Sequence, residues 1–173
     1  MPAKWYKEQP KNRNFLNPIG FILKLEKFEG TDFFCQTANV PDVSMPTTEV
    51  ASPFRNLPII PGGGVTFGDF SVRFIVDENF ENYNSIYKWI RDNGNADQMK
   101  RTTSEEDIYT NAQLHIVTSQ YNPAFIIDFR NIFPVALTGM QFDATISDVE
   151  YITAEVVFKH QQFFLRDQSL QPL

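Results

Sequence analysis

The sequence predicts an α+β fold that is mostly β: an antiparallel β-sandwich or partial barrel of about six to eight strands, with one amphipathic helix and a long extended excursion. Three observations carry this expectation. Apolar residues recur at every second position in several runs, as in Phe70, Val72, Phe74 and Val76, which is the pattern of a strand with one buried face. One segment after Asp77 instead repeats its apolar residues at spacings of three and four, the helical period. Between Val40 and Thr66, five prolines (Pro41, Pro46, Pro53, Pro58 and Pro61) are mixed with apolar residues. That texture excludes a helix and disfavours a central strand, yet it is too apolar for a merely solvated loop.

Each element follows in order. Phe21, Leu23 and Leu25 lie on one side of a strand with Lys24 and Glu26 on the other. Glu29-Gly30-Thr31-Asp32 supplies turn chemistry before Phe33 to Ala38, so the two runs read as a hairpin. The proline-rich excursion follows and returns through IIPGGGVTF, with Gly62, Gly63 and Gly64 in succession. The strand at Phe70 to Val76 leads to Asp77, placed to cap a helix of about three turns whose stripe is Phe80, Tyr83, Tyr87 and Ile90, widened by Ile86 and Trp89. Gly94 is a stop signal, and residues 95–109 read as a polar surface loop. Strands are expected at Ala112–Thr118, Ala124–Phe129 and, as one long run with Ile152, Ala154, Val156 and Phe158 inward, Tyr151–Phe164. Asn131-Ile132-Phe133-Pro134 reads as a corner, and Leu137–Phe142 as a short strand or edge.

The 173 residues, 42% hydrophobic and with seventeen Phe, suit one packed domain. A formal net charge of −6 argues against general affinity for nucleic acid phosphates. Cys35 is the single cysteine and reads as a small buried hydrophobe, so no disulfide forms within the chain. No signal-peptide-like run opens the sequence and no stretch approaches the roughly 18 apolar residues of a membrane span, so the expectation is a protein without a membrane anchor, made in a cytoplasm.

Catalytic patterns are missing as well. His115 and His160 fall in separate strands without metal-ligand spacing. Asp77-Glu78 and Glu105-Glu106-Asp107 read as a helix cap and a solvated loop, and Ser71 and Ser119 have no GxSxG context. The triple glycine lacks the GxxxxGK[ST] pattern and leads into a strand, which removes the phosphate-loop reading. No enzyme activity, cofactor or metal is expected.

The order of these pieces is more informative than any one of them. FFCQTANVPDVSMPTTEV, then FGDFSVRFIVDENFENYNSIYKWI, then IIDFRNIFPVALTGMQFD and a final TAEVVFKHQQF together resemble the tail-tube protein family of contractile-tailed bacteriophages over about residues 20–165. That resemblance implies a virion structural subunit, assembled in a host cytoplasm, that forms homohexameric rings stacked into a tube through which DNA passes without specific binding. It also implies contacts with sheath, baseplate and tape-measure proteins. Baseplate tube-initiator or tube-end proteins share the domain and form the first alternative. A ligand-binding β-sandwich module is the second, which would need exposed aromatics on one loop surface.

On this reading the chain divides into an N-terminal arm (1–18), a β domain (19–167, with an extended arm at 40–66, helix 78–93 and polar loop 94–110) and a C-terminal tail (168–173). The expected inter-subunit residues are Val43, Met45, Val50, Phe54, Leu57, Ile59, Ile60, Gly62, Gly63 and Gly64 on the arm, with Phe163 and Phe164 on the last strand. The basic stretch with Lys4, Lys7, Lys11 and Arg13 is either a solvated terminus or a docking arm for an acidic neighbour or sheath, and Trp5 and Tyr6 favour docking.

Overall fold

The computed structural model describes residues 16, 19–27, 35–51, 53–61, 64–94, 108–118, 122–143, 145, 151–167 and 169–172. The expected N-terminal arm to Asn14, the turn at Glu29–Asp32, most of the polar loop, Ser119, Gly62 and Gly63 lie outside these residues. In chain order the elements are β1 (Phe21–Leu25), β2 (Cys35–Ala38), β3 (Val43–Ser44), β4 (Thr47–Ala51), β5 (Asn56–Pro61), β6 (Thr66–Phe67), β7 (Phe70–Ile75), α1 (Glu81–Gly94), β8 (Thr110–Val117), β9 (Pro123–Leu137), β10 (Thr153–Lys159) and β11 (Gln162–Asp167).

Seven strands build the body as one antiparallel sheet in the order β1-β8-β9-β10-β7-β2, with β11 also on β9. The sheet folds into two leaves because β9, 15 residues long, serves both. Its first part pairs β8 and β11, and Phe133 to Leu137 pair β10. The bend falls at Asn131, which adopts φ 52, a left-handed conformation that asparagine tolerates better than bulky residues. Phe70 of one leaf stacks on Phe129 of the other at 4.4 Å between centroids, so the inner faces meet. The sheet is not a closed barrel. The class expected from the sequence is therefore the class observed.

The inner rows match the period-two reading. Phe70, Val72 and Phe74 are buried, as are Ala154, Val156 and Phe158 opposite them in register. Leu23 and Leu25 join Leu114, Ile127 and Phe129 in the same core cluster. Helix α1 closes the gap between the leaves, where Trp89 donates from Nε1 to the Ile108 carbonyl at 3.2 Å and the Tyr83 hydroxyl donates to the Thr138 carbonyl at 3.3 Å. A cavity of about 10 Å³ between the leaves, lined by Cys35, Phe74, Asn82 and Ile86 among others, falls far below the roughly 300 Å³ of a small-molecule pocket.

Five expectations need correction. The predicted β1–β2 hairpin does not form: β1 pairs β8 and β2 pairs β7, on different leaves. Proximity in sequence suggested the pairing, and packing of both strands against later partners overrides it.

The single strand Tyr151–Phe164 is two strands, β10 and β11, separated by His160 and Gln161. Both halves lie along β9 and turn with it at Asn131, where Asn131 Nδ2 donates to Gln161 Oε1 at 2.7 Å. The corner expected over Asn131-Ile132-Phe133-Pro134 falls at its first residue, while Phe133 and Pro134 continue β9, where a register shift beside Phe158 accommodates a residue without an N–H.

The stretch from Thr138 to Phe142 is not a strand. Finally, the helix buries Asn82, Ile86 and Trp89, while Phe80 and Tyr87 are exposed. Asp77 does not cap it through its carboxylate. Its carbonyl accepts from the Phe80 N–H, while the Asn82 amide ties strand to helix: Oδ1 accepts from the N–H groups of Asp77 and Tyr83, and Nδ2 donates to the Ile75 carbonyl.

Candidate assembly surface

The excursion between β2 and β7 is a β-hairpin that stands away from the body. β3 pairs β6 at its base, and β4 pairs β5 further out. Two prolines, Pro58 and Pro61, lie within β5, which tolerates them because β5 has a partner on one side only and a register shift between Thr48 and Glu49. Every residue from Asp42 to Glu49 is exposed, so this strand of the hairpin does not lie against the sheet.

At the far end, Phe54 is 97% exposed, with Arg55 exposed beside it. A bare phenylalanine at a hairpin tip is costly in water and is the kind of group that anchors an interface.

The root of this arm is fixed by polar contacts. Asn39 Nδ2 donates to the Asp69 carbonyl at 3.0 Å, while Asn39 Oδ1 accepts from the Ser71 N–H at 2.6 Å. The Gly68 N–H donates to the Asp42 carbonyl at 2.9 Å, and a side chain at Gly68 would run into the Asp42 carboxylate. Lys159 pairs with Asp69 at 2.7 Å. Phe67 packs its ring against His160 and Phe163 at 5.8 and 5.4 Å.

Apolar surroundings of His160 hold its imidazole below the ordinary histidine pKa, with Asp69 opposing the shift. Both ring nitrogens are buried without a hydrogen-bond partner among the described residues. Sequence reading did not single out this root. The only trace of it was the pairing of turn residues on both flanks, Asn39 to Asp42 and Gly68-Asp69.

The predicted interface residues separate into two places. Val43, Met45 and Phe54 are exposed on the arm, and Gly64, at φ 87, occupies the return between β5 and β6. Val50, Leu57, Ile59 and Ile60 lie in its two outer strands. Phe163 and Phe164 are on β11, away from the tip. Phe163 packs against the core, and Phe164 is 42% exposed with the Arg166 guanidinium 5.8 Å from its ring centroid.

Beside Phe164, Asp128 is buried and bridges Arg130 and Arg166 at 2.9 and 3.2 Å. Beyond β11, Pro172 bridges Arg166 and the Asp167 N–H donates to the Gln171 carbonyl. Among the described residues, β1, β2 and β11 each have a single neighbouring strand, and β11 is bridged further only between Arg166 and Pro172.

An open polar hollow lies beside the bend, lined by Glu26, Tyr109, Asn111, Asn131 and Gln161 among others. Its wall groups bond to one another, Asn111 to Glu26 at 3.0 Å and Asn131 to Gln161. Among the described residues no group of three His, Cys, Asp or Glu is arranged to hold a metal ion, and no helix is long and apolar enough to cross a membrane.

Residues 8–166 match the family described as phage tail tube protein. No curated protein matches the chain in sequence. Among solved structures, the tube-terminating cap of the anti-feeding prophage is similar at 18% identity and TM-score 0.64, covering 96% of this chain and 99% of that one. A chain of the sheath–tube complex of an extracellular contractile injection system, in its extended state, has 16% identity and TM-score 0.62 over 90% and 93% of the two chains. A chain of the anti-feeding prophage baseplate has 12% identity and TM-score 0.61, over 85% and 91%. At these identities the likeness is one of fold.

Proposed function

Because this chain belongs to the phage tail tube protein family, we propose that it is the repeating subunit of an inner tail tube, forming homohexameric rings that stack into a channel for DNA. The observation that carries this reading is the projecting hairpin. Its exposed strand and bare Phe54 have no use in an isolated protomer, whereas a neighbour in the next ring would bury them. The open edges at β1 and β2 support lateral assembly, since unpaired strand edges invite pairing with another chain and a closed ring satisfies them.

The last strand supplies a further edge. β10 is interior to the sheet, and only β11 lies at a margin, where the chain after Asp167 covers part of it. Lateral closure is assigned to the edges at β1, β2 and β11, with Phe163 and Phe164 on the last.

A tube subunit performs positioning and not catalysis. The net charge of −6 opposes adhesion of passing DNA. Sheath and baseplate are the proposed outer and terminal partners, the tape-measure protein the proposed occupant of the channel, and the tail of a phage or injection-system particle the proposed location.

Electron microscopy of the purified protein, with its mass measured in solution, tests the reading. Rings that extend into tubes as concentration rises are the expected result. Single rings that never extend would favour a tube-end or baseplate subunit, and a monomer at every concentration and salt would remove both.

A further inference from the structure

His160, between β10 and β11, sits where the base of the arm meets the body. Its ring packs against Phe67 of β6 at 5.8 Å on the arm side, and against Phe129 of β9 and Phe163 of β11 at 5.2 and 5.7 Å on the body side. A neutral imidazole carries one N–H donor and one acceptor. Here both nitrogens are buried and neither has a partner among the described residues. Buried polar groups are nearly always paired, so one left unpaired in a native fold calls for a reason.

The three covering rings are not equally anchored. Phe129 is fully buried and stacks on Phe70, and Phe163 packs against the core from a strand paired to β9 along its length. Phe67 belongs to a two-residue strand whose partner is the equally short β3. It is the ring that can leave at least cost.

Charged groups approach this place from several elements. Asp69, between β6 and β7, binds Lys159 of β10 at 2.7 Å, and the Asp42 carboxylate lies beside Gly68. On β9, Asp128 and Arg130 flank Phe129 and so face away from the imidazole. Asp128 there binds both Arg130 and Arg166 of β11, while the two residues of β6 carry no charge. Asp69 is the group that favours a charged imidazole, and burial outweighs it.

A proton on this ring turns both nitrogens into donors of a cation inside an apolar enclosure, which is costly unless water or a counter-ion reaches it. It also sets His160 against Lys159 in competition for Asp69. The Asp69 carbonyl accepts from Asn39 Nδ2 on the other flank of the arm, so moving Asp69 disturbs both flanks of the root.

We propose that His160 is a proton-operated latch at the root of the arm: neutral, it lets Phe67 close over the body, and on taking up a proton it drives Phe67 off, so that the arm loses its fixed direction relative to the leaf. The latch works within one protomer and needs no neighbouring copy. It is therefore separate from the tube reading, and either can fail without the other.

Nuclear magnetic resonance of the full chain tests it through two readouts, the titration of the imidazole and amide hydrogen exchange. The sequence has two histidines, so the signal missing from His160→Phe identifies His160. In the wild type that signal should titrate below 6.5. The N–H groups of Gly68 and Ser71, which bond to the Asp42 carbonyl and to Asn39 Oδ1, report on the root. Between pH 7.5 and pH 5, after correction for intrinsic exchange, their protection should fall by about three- to thirtyfold, and they should exchange ahead of the amides of β8 and β9.

In His160→Phe the root should keep the same protection at both pH values. Phe67→Ala, which opens the enclosure from the arm side, should bring the His160 titration towards 6.5 and leave the root loose already at neutral pH. Protected β8 and β9 amides at pH 7.5 confirm that each variant folds.

A His160 that titrates at or above 6.5 in the wild type would overturn the latch, because its enclosure would then favour the cation. Root and body amides that lose protection together, to one common level, would mean global unfolding and overturn it as well. So would an acid step that persists in His160→Phe.

Discussion

Replacing Phe54 by serine separates assembly from folding within one protein. The ring is 97% exposed in the protomer, so its loss removes almost no intramolecular contact and should leave stability within about 0.5 kcal/mol. In a stacked tube the same ring would be buried, and burying a phenylalanine is worth about 1.5–3 kcal/mol. Each arm would therefore weaken its own contact by roughly ten- to a hundredfold. All arms of a ring engage the next ring together, so the losses accumulate over the junction. The assay pairs scanning calorimetry, which should give an unchanged melting temperature, with sedimentation and electron microscopy over a concentration series. Tubes should disappear at concentrations where wild type forms them, with rings retained. Tubes of wild-type length at wild-type concentration would refute the reasoning, because a fully exposed tip that costs nothing to remove is not a docking element.

Further expectations concern the body. Phe129→Ala, at a fully buried position between the leaves that stacks on Phe70, should cost about 3–5 kcal/mol in chemical denaturation. Asp128→Ala should cost about 1.5–3 kcal/mol, since it leaves the guanidinium groups of Arg130 and Arg166 without their shared carboxylate; Asp128→Asn, which keeps an acceptor, should cost less. His160 gives a pH dependence. Its folded-state pKa is held below the ordinary value of 6.5 by burial, so as pH falls below that value the unfolded chain takes up a proton that the folded chain does not. Stability should then decline with acid from about pH 6.5 until the folded pKa is passed. His160→Phe should flatten that part of the stability profile, measured by denaturant titration at several pH values.

Much of the body was legible because its strands have one wet and one dry face. The rows Phe70-Val72-Phe74 and Ala154-Val156-Phe158 could be read residue by residue, and they meet in register in the core. What periodicity does not encode is which strand pairs with which. β1 and β2 looked like a hairpin because turn residues join them, yet their partners lie about 90 and about 35 residues further along the chain.

The bend was legible over Asn131-Ile132-Phe133-Pro134, but not which of the four residues carries it. A left-handed asparagine inside a strand leaves the apolar alternation on both sides intact, so the sequence does not show that one strand continues past the bend and through Pro134, three residues later.

The arm was legible as an excursion from its prolines, but its hairpin pairing was not, since proline usually argues against strands. Phe80, Phe142 and Tyr151 were assigned to a helix stripe and to strand ends. All three are exposed in the fold, and the positive φ of Phe80 leaves no mark in the sequence.

Cryo-electron microscopy of the assembled protein, at a resolution that traces the hairpin Val43–Phe67, tests the central claim most directly. The tube reading predicts density for each arm crossing to the next ring, with Phe54 buried against a neighbouring copy. An arm folded against its own body in every subunit, with rings joined by another surface or not at all, would contradict it.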